Sequence, residues 1–482
     1  MAFLGVDMGS SSCKAAAFTE NGDMIASSSA NYTCVYPEHG FAECDPDLIW
    51  DAFVRSVRGL GEVSGKIEAM CVSTHGETII PVDSRGDFVM NAIMNSDNRG
   101  AIQAKELENL LGREKIYKIT GLPVNASFSI SKLMWLKKFA PEIYEKTAVF
   151  HSPHSYLLGR MGVVPVCDYT LASRFFAFDL SGGKWSEELL SAAEIDKNKL
   201  PEIVAAGSKC GVLSSETALQ LGLKANIPVF AGGHDQPCAS VGTGITETGK
   251  ATVSSGTYEV LGVVSDKLPA FDIAVGAGIH STRHILKDCY FSFGFFGGGH
   301  LSSWIYNFIG GGDYAKYERE AVEFAAPTDI LITPHLAGSG TPDFNANASG
   351  IIAGITQSAT AGVIYRAAYE GIACELSNIA DIFESAGIFF DDVLIFGGNA
   401  KSDLSVQLRA DICDKTFVRN QISDVVARGA AKIAALSMGS DIETKIAGTD
   451  IFKPSAESVS EYINQKKRYK LLYDVLKPLR DI

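Results

Sequence analysis

The chain has no run of about eighteen apolar residues, so a membrane-spanning helix is excluded. It lacks a basic excess as well. The 42 Lys and Arg residues stand against 56 Asp and Glu, a formal charge of −14 that argues against nucleic acid or an anionic membrane as partner. An anionic small substrate remains compatible, because local basic groups and a divalent cation override the global sign. No C-x-x-C pair occurs among the ten cysteines, and the nine histidines are scattered. Neither a disulfide frame nor a zinc site is expected. The cysteines, many in apolar surroundings such as Met70-Cys71-Val72, read as buried reduced thiols of a cytoplasmic protein. The first residues read as a strand without a basic leader, so no signal peptide is expected.

What is present is globular material. Hydrophobic residues make up 46% and charged residues 20% of 482 positions, enough to build cores for two or three domains.

The stretch Asp7-Met8-Gly9-Ser10-Ser11-Ser12-Cys13-Lys14 lies between the apolar runs Phe3–Val6 and Ala15–Phe18. An acidic residue ends a buried-looking strand, a glycine and three hydroxyls follow, and the chain re-enters an apolar run. That run ends at Asn21-Gly22, a two-residue hairpin signal, and Asp23–Thr33 can return as the partner strand. The Gly-Ser stretch therefore reads as a hairpin tip, unlike Rossmann and Walker loops, which open a helix. Backbone N–H groups and hydroxyls at such a tip can hold phosphate oxygens, and Asp7 can hold a hydrated Mg²⁺. Taken alone, the same residues also fit a Ser-rich polar turn.

Further along, Asp45-Pro46 starts a helix with Leu48, Ile49, Phe53 and Val57 at helical spacing. Strands are expected at Lys66–Ser73 and Ile79–Val82, the first ending at Thr74-His75-Gly76-Glu77. Ala92–Met94 leads into Asn95-Ser96-Asp97-Asn98-Arg99, and Ser129–Phe139 reads as a helix with Leu133, Trp135 and Leu136 on its apolar side. Ile227–Ala231 reads as a buried strand running into Gly232-Gly233-His234-Asp235-Gln236. The small residues that follow, through Gly244, read as an interdomain crossing suited to close packing and hinge bending. Lys250–Ser254, the turn Ser255-Gly256-Thr257 and Tyr258–Val264 repeat the opening plan, so a duplicated domain is expected. Ser358–Ala386, Asp403–Cys413 and Asp424–Met438 read as helices, the last able to pack closely on a sheet. The strand Val393–Phe396 precedes Gly397-Gly398, and Tyr462–Leu476 reads as a surface helix.

Asp7 and Asp235 each end a strand beside glycines. Phosphoryl transfer needs one carboxylate to hold Mg²⁺ and benefits from another that accepts the attacking hydroxyl's proton. Asp235 on its own also fits a turn or helix-cap aspartate, and His234 a neutral packing residue. Gly397-Gly398 can admit an aromatic base or ribose to the backbone, although such turns are common.

Together these motifs resemble the FGGY carbohydrate kinases, of the actin-like, hexokinase-like ATPase fold, over nearly the whole chain. The matching residues are Gly5-Val6-Asp7-Met8-Gly9 with its serines, Gly233-His234-Asp235-Gln236 and Ser254-Ser255-Gly256-Thr257. Thr341–Gly354 followed by Arg366–Gly371 is similar to the family's C-terminal signature, and Gly397–Ser402 to its adenosine loop. The resemblance implies an α/β chain of two actin-like (ribonuclease H-like) domains, 1–243 and 244–482, with a nucleotide and sugar cleft between them. It implies Asp7 at Mg²⁺, and Gly9, Ser10, Ser11, Ser12 and Lys14 near the nucleotide phosphates. Gly256 and Thr257 would form a second phosphate loop, with Gly338, Gly398 and Ser402 along the nucleotide. Asp235 would be the general base, and Thr74, His75, Glu77, Asp97, Arg99 and Gln236 would contact the sugar.

The substrate positions depart from two patterns at once. Xylulokinases usually carry Gln-Met-His-Gly where this chain has Ser73-Thr74-His75-Gly76. Glycerol kinases carry Gln-Arg-Glu-Thr, of which the chain keeps Glu77-Thr78 with Gly76 at the arginine place. His234 replaces a small residue common in both groups, and Lys14 an arginine. The implied activity is ATP- and Mg²⁺-dependent phosphorylation of a hydroxyl on a small sugar or polyol. A ketopentose such as xylulose comes first, with glycerol, a tetritol, a pentitol or another ketose as alternatives. A non-kinase ATPase or nucleotide-dependent regulator is the remaining alternative, against which Asp235 and the Thr341–Gly354 signature speak. A homodimer is a family-level expectation.

Overall fold

The opening apolar run Ala2–Met8 (β1) is a strand buried along nearly its whole length, as a central strand must be. It turns through Gly9–Ser12 into antiparallel Ser12–Thr19 (β2), with Asp7 opposite Lys14 and Met8 opposite Cys13. Met24–Asn31 (β3) returns along β2 after the turn at Gly22, whose φ of +84° suits glycine. On its other side β1 pairs in parallel with Ile67–Thr74 (β4). Lys209–Val212 (β5) and Pro228–Phe230 (β6) complete the sheet, in the order β5-β6-β4-β1-β2-β3.

The computed structural model describes residues 1–309, 314–324, 327–345, 347–419, 423–444 and 450–480. The chain forms two compact units. The first is Met1–Thr246 with Thr282–Asp288 and Asp424–Lys445; the second is Glu247–Ser281 with Cys289–Ser423 and Ile446–Ile482. Among the described residues no helix is long and apolar enough to cross a membrane.

The second unit repeats the strand plan of the first. Ala251–Ser255 (β7) and Glu259–Ser265 (β8) form the hairpin, and Tyr290–Phe296 (β9) pairs antiparallel with β8. Asp392–Gly397 (β10) lies parallel to β7, Thr416–Arg419 (β11) parallel to β10, and Asp450–Phe452 (β12) antiparallel at the edge. In each unit a hairpin strand pairs in parallel with the fourth strand, which pairs in parallel with one further strand, β6 in the first unit and β11 in the second. The duplication expected from two Ser/Gly-containing turns is present as sheet topology.

In three segments the structure goes beyond what the sequence implies. The small residues after Gln236 form a helix, Asp235–Thr243, ended by Gly244 at φ +86°. Its small side chains serve close packing against the helix Val425–Ser437, which also covers β1. A methyl group on Gly242 would lie 1.9 Å from the Val425 carbonyl oxygen, one on Gly429 1.8 Å from that of Cys238, and one on Gly5 1.7 Å from that of Ala427. Val425–Ser437 does pack on a sheet, and the sheet is that of the first unit. Finally, Ala456–Arg480 is more than a surface helix, because Tyr462 and Tyr469 are buried and donate to Glu370 Oε1 and Glu375 Oε2, each at 2.8 Å. All ten cysteines are free thiols, and all but Cys34 and Cys289 are buried.

Candidate active site

In the first unit the predicted residues gather where parallel strands end. Met8 is in register with Thr74 across β1 and β4, and Thr74 forms a bridge with His234 beyond β6. The Thr74 N–H and the Ser73 hydroxyl donate to the Gly233 carbonyl, at 3.1 and 3.0 Å. Asp7, Thr74 and Asp235 thus stand at the carboxyl edge of one sheet, where α/β folds bind ligands.

Asp235 is the first residue of its helix, and its Oδ1 accepts the Gln236 N–H at 2.6 Å and lies 3.2 Å from His234 Nε2. Burial raises its carboxyl to about 7, the Asp7 and Glu77 carboxylates push the same way, and the Gln236 N–H and Arg174 oppose them. Burial likewise holds Asp7 near 6, with Lys14 pulling down and Asp424 pushing up. Lys14 is half-exposed and sits 3.7 Å from Asp424. Asp7 is a hard oxygen donor at a strand end, held in a surrounding that disfavours its charge. A hydrated divalent cation bound there would reverse that penalty, so the residue fits Mg²⁺ chemistry.

The Gly9–Ser12 tip is held from beneath by the segment after β3. Tyr32 donates its hydroxyl to the Gly9 carbonyl at 2.5 Å and its N–H to that of Ser11 at 3.0 Å. The Cys34 thiol donates to the Ser10 carbonyl at 3.6 Å, leaving Ser10 and Ser11 exposed at the tip.

The residues implied at the sugar divide in two. His75 has both ring nitrogens engaged: Nδ1 donates to the Met8 carbonyl at 3.0 Å, so Nε2 accepts from the Thr78 hydroxyl at 2.8 Å. Burial holds its pKa below the ordinary value. Asp97 is fully buried and accepts from the Ala42 and Arg99 N–H groups, at 2.7 and 2.9 Å. Arg99 closes on both oxygens of Asp97, adds Glu43 at 2.8 Å, and lies over the rings of Phe41 and Trp135. These groups fix loops. Glu77, at φ +60°, pairs with the buried Arg174, whose Nε donates to Oε1 at 2.6 Å. Thr74, Glu77 and Gln236 remain close in chain or register to Asp235.

Four side chains without a signal singled out in the sequence frame this edge. Asp168 accepts from the Thr170 and Leu171 N–H groups and the Thr170 hydroxyl, and Thr170 Oγ1 accepts the His234 N–H at 2.8 Å. Arg174 is the third. The fourth, Lys132, is wholly buried and donates to the Glu77 and Met94 carbonyls at 3.0 and 2.8 Å. Burial lowers its pKa to about 7. Its signal was available: Ser129, Lys132, Leu133 and Leu136 share the i, i+3, i+4, i+7 face of one helix.

The second unit holds the other set. Gly256 and Thr257 are exposed at the β7–β8 tip, where Gly256 N–H donates to the Tyr258 carbonyl at 3.1 Å and Thr257 O accepts the Gly299 N–H at 3.1 Å. Gly299 is required there, since an added methyl would lie 2.0 Å from the Gly256 oxygen. Gly398 opens a turn of 3₁₀ helix, and Ser402 caps Asp403–Cys413 while donating to Glu318 at 2.7 Å. Gly338 takes φ +81°. Thr341 of the signature exchanges bonds with the Phe295 backbone, and Ala346 lies outside the described residues.

Two units of one α/β plan, each with a hydroxyl-bearing hairpin tip, and a carboxylate pair at the edge of the first define a phosphotransferase of the two-domain kinase class. Residues 2–242 match the N-terminal domain and residues 251–438 the C-terminal domain of the FGGY family of carbohydrate kinases. The chain belongs to that family, an ATP-dependent one. It is 26% identical over 482 residues to the xylulose kinase of Staphylococcus xylosus, covering 98% of this chain and 99% of that one. Its fold matches the gluconate kinase of Lactobacillus acidophilus, with a TM-score of 0.90, 24% identity and 98% of each chain covered. It also matches the glycerol kinase of Plasmodium falciparum, solved with ADP, with a TM-score of 0.86, 23% identity and 100% and 98% covered. The family match sets aside the reading as a non-kinase ATPase.

Proposed function

We propose that the chain transfers the γ-phosphoryl group of ATP to a hydroxyl of a small ketose, a ketopentose such as xylulose first, with Asp235 as general base. The supporting observation is the Asp235 carboxyl, held near 7 at the carboxyl edge of the sheet beside Asp7. Its Oδ1 is engaged by Gln236 N–H and faces His234, so Oδ2 is the oxygen that takes the hydroxyl proton. Asp7 would hold Mg²⁺, which neutralises phosphate charge when bound. Gly9 to Ser12 and Lys14 face the phosphates on the first unit, Gly256 and Thr257 on the second, with Gly338, Gly398 and Ser402 toward the nucleoside. Thr74, Glu77 and Gln236 contact the acceptor, while His75, Asp97 and Arg99 set the loops that carry it.

Full-length similarity to a xylulose kinase supports the ketopentose. Retention of Glu77-Thr78 supports a polyol such as glycerol as the second reading. ADP release should be measured with ketopentoses, other ketoses, aldoses, tetritols, pentitols and glycerol. A ketopentose is expected to give the highest kcat/KM. A polyol preferred by tenfold or more would install the second reading, and no stimulation by any acceptor would remove both.

Lys132 supplies a sharper test of the acceptor loops. Lys132→Met is expected to raise the acceptor KM about threefold or more: the Glu77 carbonyl keeps the Ser129 hydroxyl and the Met94 carbonyl the Asp97 N–H, each at 3.1 Å, so each loses one of two donors, at about 0.5–1.5 kcal/mol for a hydrogen bond. Binding of ATP should change less than about twofold. An unchanged acceptor KM would show that the Glu77 and Met94 loops hold their places without it.

A further inference from the structure

Beneath the first hairpin tip, two thiols face each other across a short antiparallel ladder. Val35 and Glu43 form a bridge and exchange both backbone hydrogen bonds, at 2.8 and 2.9 Å. Cys34 and Cys44 are the next opposed residues and so occupy a non-hydrogen-bonded pair. In such a pair the Cα atoms approach to about 4.5 Å, within the span that a disulfide bridges. Cys44 is buried and donates to the Thr33 and Asp45 carbonyls, whereas Cys34 is partly exposed. Cys34 is therefore the sulfur an oxidant can reach, and Cys44 the partner waiting behind it. The neighbouring Cys44 thiol also holds the Cys34 thiol below its ordinary value, against the opposing effect of burial, and so favours the reactive thiolate.

We propose that Cys34 and Cys44 are a reversible oxidation site that a peroxide converts to a disulfide, weakening nucleotide binding at the Gly9–Ser12 tip. Attack of the Cys34 thiolate on hydrogen peroxide breaks the O–O bond and gives a sulfenic acid, with the departing hydroxide taking a proton to become water. Attack by Cys44 sulfur then forms the S–S bond and releases a second water, its thiol proton going to the leaving hydroxyl. Overall, two thiols are oxidised, one peroxide is reduced, and a dithiol reductant reverses the change. The consequence for the tip follows from the contacts of the same segment. Tyr32 and Cys34 supply the donors to the Gly9, Ser10 and Ser11 carbonyls. A disulfide removes the Cys34 donor from Ser10 and draws the segment toward Cys44. This consequence rests on the tip binding the nucleotide phosphates, while formation of the bond does not.

The full chain should be treated with hydrogen peroxide, digested without reduction and mapped by mass spectrometry, with ATP KM measured before treatment, after it, and after dithiothreitol. The expected result is a Cys34–Cys44 peptide pair lighter by two hydrogens, an ATP KM raised about fivefold or more, and recovery on reduction. Cys44→Ser should form no internal bridge and keep its own untreated ATP KM through the same exposure. Absence of the Cys34–Cys44 pair, or oxidation mapping first to other cysteines, overturns the site. A bridge that forms while ATP KM stays constant overturns the regulatory consequence, and an enzyme that binds no ATP before treatment would instead count against the kinase reading.

Discussion

Asp235→Asn is expected to lower kcat by about 10²–10⁴-fold, the range for loss of a positioned proton acceptor, while ATP binding measured by titration calorimetry stays within a few-fold of the parent. Asparagine keeps the volume and can still accept the Gln236 N–H at Oδ1, so the loss reports proton acceptance at the other oxygen. Turnover within a few-fold of the parent would remove Asp235 as the base. With the carboxyl near 7, kcat/KM should fall as pH drops through that value, about tenfold per unit well below it. A profile flat from pH 8 to 6 would contradict this.

The same carboxyl ties activity to stability, with a definite sign. Its pKa is raised from 3.8 to about 7 on folding, so between those values the folded protein holds a proton that the unfolded chain has lost. Stability from this group therefore declines as pH rises through that window and stays low above it. The side chain keeps 28% of its exposure, so water screens part of the effect. At pH 8 the inactive Asp235→Asn protein is expected to have a higher Tm than the parent, with the difference shrinking toward pH 4. A lower Tm at pH 8 would mean that the fold stabilises the charge. Asp7, raised to about 6 beside it, pushes in the same direction.

Much of this edge was legible in the sequence because turn chemistry and strand-ending acids are local signals. Asp7 with its glycine and serines and the second Ser255-Gly256-Thr257 tip fold as read, whereas the hairpin signalled by Asn21-Gly22 forms with three loop residues instead of two, Thr19 N–H donating to the Asp23 carbonyl. What escaped was set by partners distant in the chain. That Asp235 starts a helix is obscured by Pro237 and two glycines; close packing against Val425–Ser437 holds it, and that contact spans nearly two hundred residues. The resemblance implies Asp97 and Arg99 at the sugar, and it gives no sign of their hydrogen bonds to each other, to Ala42 and to Glu43. Asp168 and Thr170 carry no periodic or turn signal, and their hold on His234 appears only once β6 is laid against β4.

Arg409→Met is expected to destabilise the second unit by about 3–5 kcal/mol, the cost of leaving one member of a buried ion pair alone. Arg409 and Glu259 are both fully buried and joined at 2.7 and 2.9 Å. Glu259 begins β8, two residues after Thr257, and Arg409 comes from Asp403–Cys413, where it also donates to the Ser405 carbonyl at 2.6 Å. The pair therefore fixes the root of the second hairpin to the helix that Ser402 caps. Neither residue was flagged in sequence, because a lone glutamate at a strand start and a lone arginine in a helix carry no local pattern. In the single variant the Glu259 carboxylate stays fully buried without its cation, and urea unfolding should register the loss. Glu259→Met combined with Arg409→Leu removes both charges, and should recover most of the stability, since apolar replacement of a buried pair is often neutral or favourable. ATP KM separates the two roles: a stable double variant with a raised ATP KM would show that the pair shapes the Gly256-Thr257 tip. Parent-like ATP KM would confine the pair to stability, and a single variant losing less than about 1 kcal/mol would show that water reaches Glu259 when its partner is gone.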